Sequence, residues 1–172
     1  MISGYVDAYK SFNDDIFKNE AIETGEFIYS NLIKRDGGLF HNHVNGKSKI
    51  NGYLEDYATI IQASLDLYEI TLNQKWIERA LELSEYVLDN FSGINSKLFY
   101  FTSKDDENLI SRSVEFRDNV IPSSNSIMAK NLFRLYHYFD RQEYYDIAKK
   151  MCLSVSEEFE AYPSGYTLSL IH

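Results

Sequence analysis

Cysteine occurs once in these 172 residues, at Cys152, so the chain can build neither an internal disulfide nor a thiolate zinc site. Proline occurs twice and glycine 8 times, which is little material for the turn-dense loops of an all-β sandwich. Positive charge is also scarce: 17 Lys and Arg face 26 Asp and Glu, for a net charge of −9. So acidic a chain repels phosphate backbones and anionic bilayers, and neither nucleic acid nor a membrane surface is an expected partner. No apolar run approaches the ~18 residues of a transmembrane helix. Met1 to Asp7 carries no basic n-region and no signal-peptide pattern, so a soluble, cytoplasmic protein is expected. What the chain has in plenty is aromatic residues, at 15%, including 14 Tyr and 11 Phe. With 44% apolar against 25% charged residues the balance is that of a globular protein, long enough for one domain with a sizeable core.

Sliding the sequence against itself exposes an internal repeat. Tyr57 to Phe91 aligns with Asn125 to Phe159 at an offset of 68, placing Leu67-Tyr68 on Leu135-Tyr136, Trp76 on Tyr144, Ala80 on Ala148 and Leu83 on Met151. At an offset of 59, Phe17 falls on Trp76, Ala21 on Ala80, Ile28 on Val87, and Leu39-Phe40 on Leu98-Phe99. Each of the three units reads as two helices. In the middle unit Tyr57, Ile60, Ile61, Ser64, Leu65, Tyr68 and Leu72 keep helical spacing, and Asn73 caps a second helix carrying Trp76, Ile77, Ala80, Leu83, Val87 and Phe91. The third unit breaks at Asp140, with Glu143 three residues on in capping-box spacing. Met151 and its neighbour Cys152 are expected on the apolar face of its last helix.

Between units the chain changes character. Asp36-Gly37-Gly38 stops a helix, Leu39 to Val44 runs as a strand, Asn45-Gly46 is a hairpin turn, and Lys47 to Ile50 returns. The second linker carries the strand-like Leu98-Phe99-Tyr100-Phe101. Helical hairpins with a period near 60, joined by longer loops or short β-hairpins, predict an all-α fold, an α/α toroid in which inner and outer helices alternate. Its single partial domain would span 1–172, with hairpins at about 1–35, 53–91 and 123–160. Three hairpins do not close a ring, so the chain reads as part of a larger toroid.

Two polar clusters stand where a linker enters a first helix: Asn51 to Ala58, and Glu115 to Ser126. Asp, Ser and Asn are favoured at helix starts simply as caps, which accounts for much of Ser123 and Ser124. It accounts for less of Glu55, Asp56, Tyr57, Arg117 and Asp118, which bring acids, a phenol and a guanidinium to one rim. Carboxylates beside aromatic faces suit sugars, whose hydroxyls need acceptors and whose C–H faces need rings. The candidate catalytic residues are Glu55, Asp56 and Asp118. The candidate substrate-binding residues are Tyr53, Tyr57, Arg117, Asn119, Ser123, Ser124, Asn125, His41 and His43. His41 and His43, two apart on a strand, leave the same face; they are either a proton-transfer or metal pair, or exposed polar residues of the hairpin. No third metal ligand has a defining spacing, and no flavin, nucleotide or phosphate motif occurs, so neither metal nor cofactor is expected.

With these motifs in hand, the chain resembles the helical C-terminal region of the thioredoxin-domain proteins related to spermatogenesis-associated protein, the DUF255 group. Met1-Ile2-Ser3, Gly52-Tyr53-Leu54-Glu55-Asp56-Tyr57-Ala58 and Asp118 through Ser126 carry the match. Ser124 and Asn119 stand where that family usually has glycine. The resemblance implies an (α/α)6 toroid of the six-hairpin glycosidase-like class, similar to N-acylglucosamine 2-epimerase, with about half of the ring in this chain. It also implies a thioredoxin-like domain outside this chain as partner, and a sugar-like small-molecule ligand. It licenses no epimerase role for His41 or His43. The functional expectation is a carbohydrate-active or carbohydrate-binding toroid domain, epimerase-, isomerase- or glycosidase-like if it is an enzyme. The alternative is a non-catalytic interaction scaffold for a redox partner. Because an open set of hairpins leaves apolar flanks bare at about 25 cal/mol per Å2, self-association is expected, with Tyr5, Tyr9 and Phe12 on one flank and the tail from Gly165 to Ile171 on the other.

Overall fold

The computed structural model describes residues 1–93, 96–106, 112–115, 117 and 122–161; Asp118, Asn119 and the tail from Gly165 to Ile171 lie outside them. Among the described residues the chain forms six helices and one two-stranded sheet: α1 (Ile2–Phe12), α2 (Asp15–Asn31), β1 (Phe40–Val44), β2 (Lys47–Asn51), α3 (Leu54–Thr71), α4 (Gln74–Phe91), α5 (Ser124–Phe139) and α6 (Gln142–Ala161). Each odd-numbered helix packs against the even-numbered one that follows it, and α3 lies between α1 and α5. The result is two layers, with α1, α3 and α5 side by side.

The three hairpins turn in the same way. α1, α3 and α5 end at Asn13, Leu72 and Asp140, each in the left-handed conformation at φ 52°. In each case the cap N–H donates at 2.8 Å to the carbonyl of a tyrosine four residues back: Tyr9, Tyr68 and Tyr136. The spacings are the offsets of 59 and 68 found in the sequence. Asn73 caps α4 as its residue type dictates, its side chain accepting from the Lys75 N–H at 3.2 Å. Asp140 differs from expectation: it closes α5 rather than opening α6, which begins two residues later at Gln142.

The apolar stripe of α4 is buried as its spacing requires: Trp76, Ile77, Ala80, Leu83, Val87 and Phe91 all lie in the core. With Leu65, Met128, Leu132 and Tyr144, the stripe from Ile77 to Phe91 makes a core shared by α3, α4, α5 and α6. A smaller cluster joins Ile2, Val6 and Ala21 to Ala63, Leu67 and Trp76. Gly25 makes room for it, since a Cβ there would stand 2.7 Å from the Trp76 ring. Cys152, expected in the core, is exposed. The buried stripe of α6 is Tyr144, Ala148 and Met151, and one further residue turns about 100° away from it.

The β1–β2 hairpin pairs Phe40 with Asn51 and Val44 with Lys47 around the Asn45-Gly46 turn, both of whose residues have positive φ. Leu98 to Phe101 is not a strand. Its backbone is taken up by scattered partners: Phe99 by the Asn125 amide, the Tyr100 N–H by Phe91 O, the Phe101 N–H by Ser113 O, and the Phe101 carbonyl by the Leu54 N–H. At the other end of the helices, Arg134 of α5 bridges Asp66 and Glu69 of α3 at 2.8 and 2.7 Å, and Lys10 of α1 reaches Glu69 at 2.7 Å. These pairs tie the three first helices together.

Candidate functional site

The first turn of α3 gathers the polar cluster. Asp56 is the third residue of the helix and turns its carboxylate back on the helix start, where Oδ2 accepts the Tyr53 N–H at 2.8 Å. The same oxygen meets His41 Nδ1 at 2.9 Å, so β1 is tied to the start of α3 through an imidazole–carboxylate pair. Engaging Nδ1 leaves Nε2 as the ring's other nitrogen for proton exchange. The His41 ring stands edge-on to Tyr53 at 5.1 Å, and Tyr53 stacks on Phe101 at 5.0 Å with the planes 11° apart.

The electrostatics follow from this packing. The Asp56 hydrogen bond, and then the Asp56 charge, raise the His41 pKa above its ordinary value, with Glu55 adding to the effect. The Glu55 carboxyl is also raised, first by partial burial and then by the charges of Asp56 and Glu115. Two proton carriers, one imidazole and one carboxyl, are thus both shifted upward beside an aromatic surface. This is an arrangement capable of general acid–base chemistry on a small polar ligand.

The remaining predicted residues are placed differently. Tyr57 is buried in the core: its hydroxyl accepts the Leu39 N–H at 2.7 Å, its ring stacks on Tyr86 at 5.4 Å, and burial raises its pKa. Asn125 is buried at the start of α5, where its amide pairs with both the N–H and the carbonyl of Phe99, at 2.9 and 3.0 Å, and donates to Glu115 O at 2.6 Å. Ser123 caps α5 through the Ser126 N–H. Ser124 donates to Glu115 Oε2 at 2.8 Å. His43 does not join His41: it bonds Ser48 Oγ at 2.8 Å and stands edge-on to Phe27. Arg117 is exposed on the linker before α5, while Asp118 and Asn119 fall outside the described residues.

Glu115 is a participant that residue type alone did not single out. It holds Ser124 and lies within electrostatic reach of Glu55, and no local spacing signals that. A second feature without a sequence signal is a cavity of about 500 Å3 bordered by α1, α2, α3 and α5. It begins one helical turn from Glu55, at Thr59. Among the described residues no helix is long and apolar enough to cross a membrane.

No protein-family model matches the chain. In sequence it is 31% identical over 181 residues to human spermatogenesis-associated protein 20, covering 95% of this chain and 22% of that protein. It is 29% identical over 171 residues to an uncharacterised protein of Caenorhabditis elegans, covering 94% of this chain and 23% of that one. The chain thus spans less than a quarter of either relative. In structure it is similar to a D-mannose isomerase, with a TM-score of 0.72 and 17% identity over 91% of this chain and 39% of that chain. A GH76 α-mannanase of Bacteroides thetaiotaomicron gives a TM-score of 0.73 with 16% identity, over 91% of this chain and 42% of that chain. Identities this low carry the fold alone. The chain is thus similar in sequence to a part of spermatogenesis-associated protein 20, and its helical hairpins have the α/α-toroid fold of these solved structures.

Proposed function

We propose that this chain is the sugar-handling part of an α/α toroid, and that a sugar-like ligand sits at the start of α3. The His41–Asp56 pair, set against the stacked Tyr53 and Phe101 rings with Glu55 alongside, is the observation that carries this reading. In it Tyr53 and Phe101 offer a surface to the sugar's C–H face, His41 and Glu55 exchange protons with it, and Asp56 orients His41. Arg117 of the following linker is a further candidate contact, while Asp118 and Asn119 lie outside the described residues. Tyr57, Ser123, Ser124 and Asn125 hold the rim in shape, and His43 anchors the hairpin. The solved structures that resemble the chain act on mannose or mannan, so mannose is the first ligand to try. The same reading places the chain in the DUF255 group, with a thioredoxin-like domain as its partner in a longer protein.

A thermal-shift and NMR panel of mono- and disaccharides, applied to the chain and to a full-length relative, tests this. Stabilisation by at least one sugar is expected, lost in His41→Ala and Glu55→Gln. No response in either protein overturns the reading and favours a non-catalytic scaffold. The open flanks extend the proposal to assembly. Phe12 and Ile16 on the first hairpin, and Phe133 and Leu153 on the last, are 71%, 65%, 44% and 60% exposed. Self-association through these surfaces is expected, and a monomer in light scattering at micromolar concentration would exclude it.

A further inference from the structure

The cavity bordered by α1, α2, α3 and α5 has a chemistry unlike the rest of the molecule. Its walls are aliphatic, formed by Ile2, Ile28, Ile60, Ala63 and Ile127. In a chain with 26 Asp and Glu, 14 Tyr and 11 Phe, no carboxylate and no aromatic ring lines it among the described residues. Among the described lining residues the side-chain polar groups are hydroxyls and the Gln62 amide, Lys130 carries the one charged side chain, and Met1 bears the α-amino group of the chain. A sugar gains little there, because no ring is present for its C–H face. An alkyl chain gains a great deal, each buried methylene favouring binding about fourfold. At about 500 Å3 the volume is that of a small-molecule site.

Lys130 supplies the other half of the argument. It is exposed on α5 and has no ion-pair partner among the described residues. The acids nearest the cavity along α3 lie outside its lining. Asp56, three residues before Thr59, is committed to His41 and the Tyr53 N–H. Glu55 precedes Thr59 by a full turn, and Asp66, three residues beyond Ala63, is committed to Arg134 at 2.8 Å. The lysine stem can lie along the aliphatic wall while its ammonium faces the opening.

We propose that this cavity binds a small carboxylic acid with an aliphatic chain, the carboxylate at Lys130 and the chain among Ile2, Ile28, Ile60 and Ile127. Isothermal titration of the whole chain with octanoate and octylammonium below their micellar concentrations, and with 1-octanol below its solubility limit, tests the assignment. Octanoate is expected to bind at least tenfold more tightly than 1-octanol, and octylammonium more weakly than either. Lys130→Met should remove the tenfold preference and leave 1-octanol unchanged, Lys130→Arg should keep it, and Thr59→Trp at the opening should weaken both ligands. Octanoate binding no more tightly than 1-octanol, or as tightly to Lys130→Met as to the unaltered chain, overturns the proposal. If Lys130→Met does not fold, amide shifts in the unaltered chain decide. Octanoate must move Thr59, Ala63, Ile127 and Lys130, and shifts confined to other residues count against it. His41 and Glu55 do not line the cavity, so failure here leaves the sugar reading standing, and the reverse also holds.

Discussion

The starts of α3 and α5 are equivalent places in the repeat, and they solve one problem with different chemistry. Each must fasten the incoming linker to the core. At α3 a phenol does it: Tyr57 accepts a single N–H, from Leu39. At α5, 68 residues on, an amide does it: Asn125 makes three bonds, two to Phe99 and one to Glu115. The consequence is a division of labour. At α5 Ser123 caps the helix, Ser124 is held by Glu115 and Asn125 holds Phe99, so these three side chains build the loop. At α3 the buried phenol carries the fastening, which leaves Asp56 able to cap the helix and hold His41 together. Among the described residues an imidazole–carboxylate pair forms at the start of α3 and none at the start of α5.

The largest expected effect separates the two fastenings. Asn125→Ala strands a buried N–H and a buried carbonyl on Phe99, and each unmet group costs roughly 1–3 kcal/mol. A loss of about 3 kcal/mol is expected in urea unfolding. Tyr57→Phe keeps the ring packing, strands the Leu39 N–H and removes the hydroxyl contact with the half-buried Tyr86, so about 1–2 kcal/mol is expected. Equal losses in the two variants would break the comparison.

How much of this was legible in the sequence depends on how far the information travels along the chain. The helices and their repeat were legible because periodicity is local: Tyr9, Tyr68 and Tyr136 hold identical caps at the expected offsets. Leu98 to Phe101 looked like a strand because a short apolar run does not say who its partners are, and the partner of Phe99 is a side chain 26 residues away. Cys152 was misplaced by a single step around α6. In the site, Glu55, Asp56 and Tyr53 were legible as a cluster on one turn. That His41 rather than His43 joins them depends on how the β-hairpin lies against α3, and strand alternation carries no trace of that. The cavity was invisible because its walls come from four helices, each contributing ordinary aliphatic residues.

The far ends of the same two helices sharpen the comparison. α5 closes with Asp140 and α3 with Leu72, both at φ 52°. Asp and Asn tolerate the left-handed region, whereas leucine gains nothing there and is 75% exposed. Leu72→Asn is expected to stabilise the chain by about 0.5 kcal/mol and Leu72→Gly by a comparable amount. Asp140→Asn should be close to neutral. A shift of the urea midpoint to lower concentration in Leu72→Asn would show that the leucine side chain contributes packing that outweighs the backbone strain.

The smallest effect tests whether the start of α3 is chemically distinct. His41 has its pKa raised in the folded chain by Asp56, against about 6.5 when unfolded. Folding therefore favours the protonated ring, and the stabilisation is full below pH 6.5 and disappears as pH rises through the raised folded value. Glu55 is raised as well, from 4.5, and works in the same direction over a more acidic window. The His41 side chain is 36% exposed, so solvent screening holds its share to below about 0.5 kcal/mol. The sharper readout is the titration of the His41 ring protons by NMR. In the unaltered chain they should report a pKa above 6.5, and in Asp56→Asn one displaced back towards it. Asp56 also caps α3, so circular dichroism must first show that the helix persists in this variant. A His41 titration that does not move when the carboxylate is removed would mean that the pair does not exist in solution, and with it would go the chemical difference between the two helix starts.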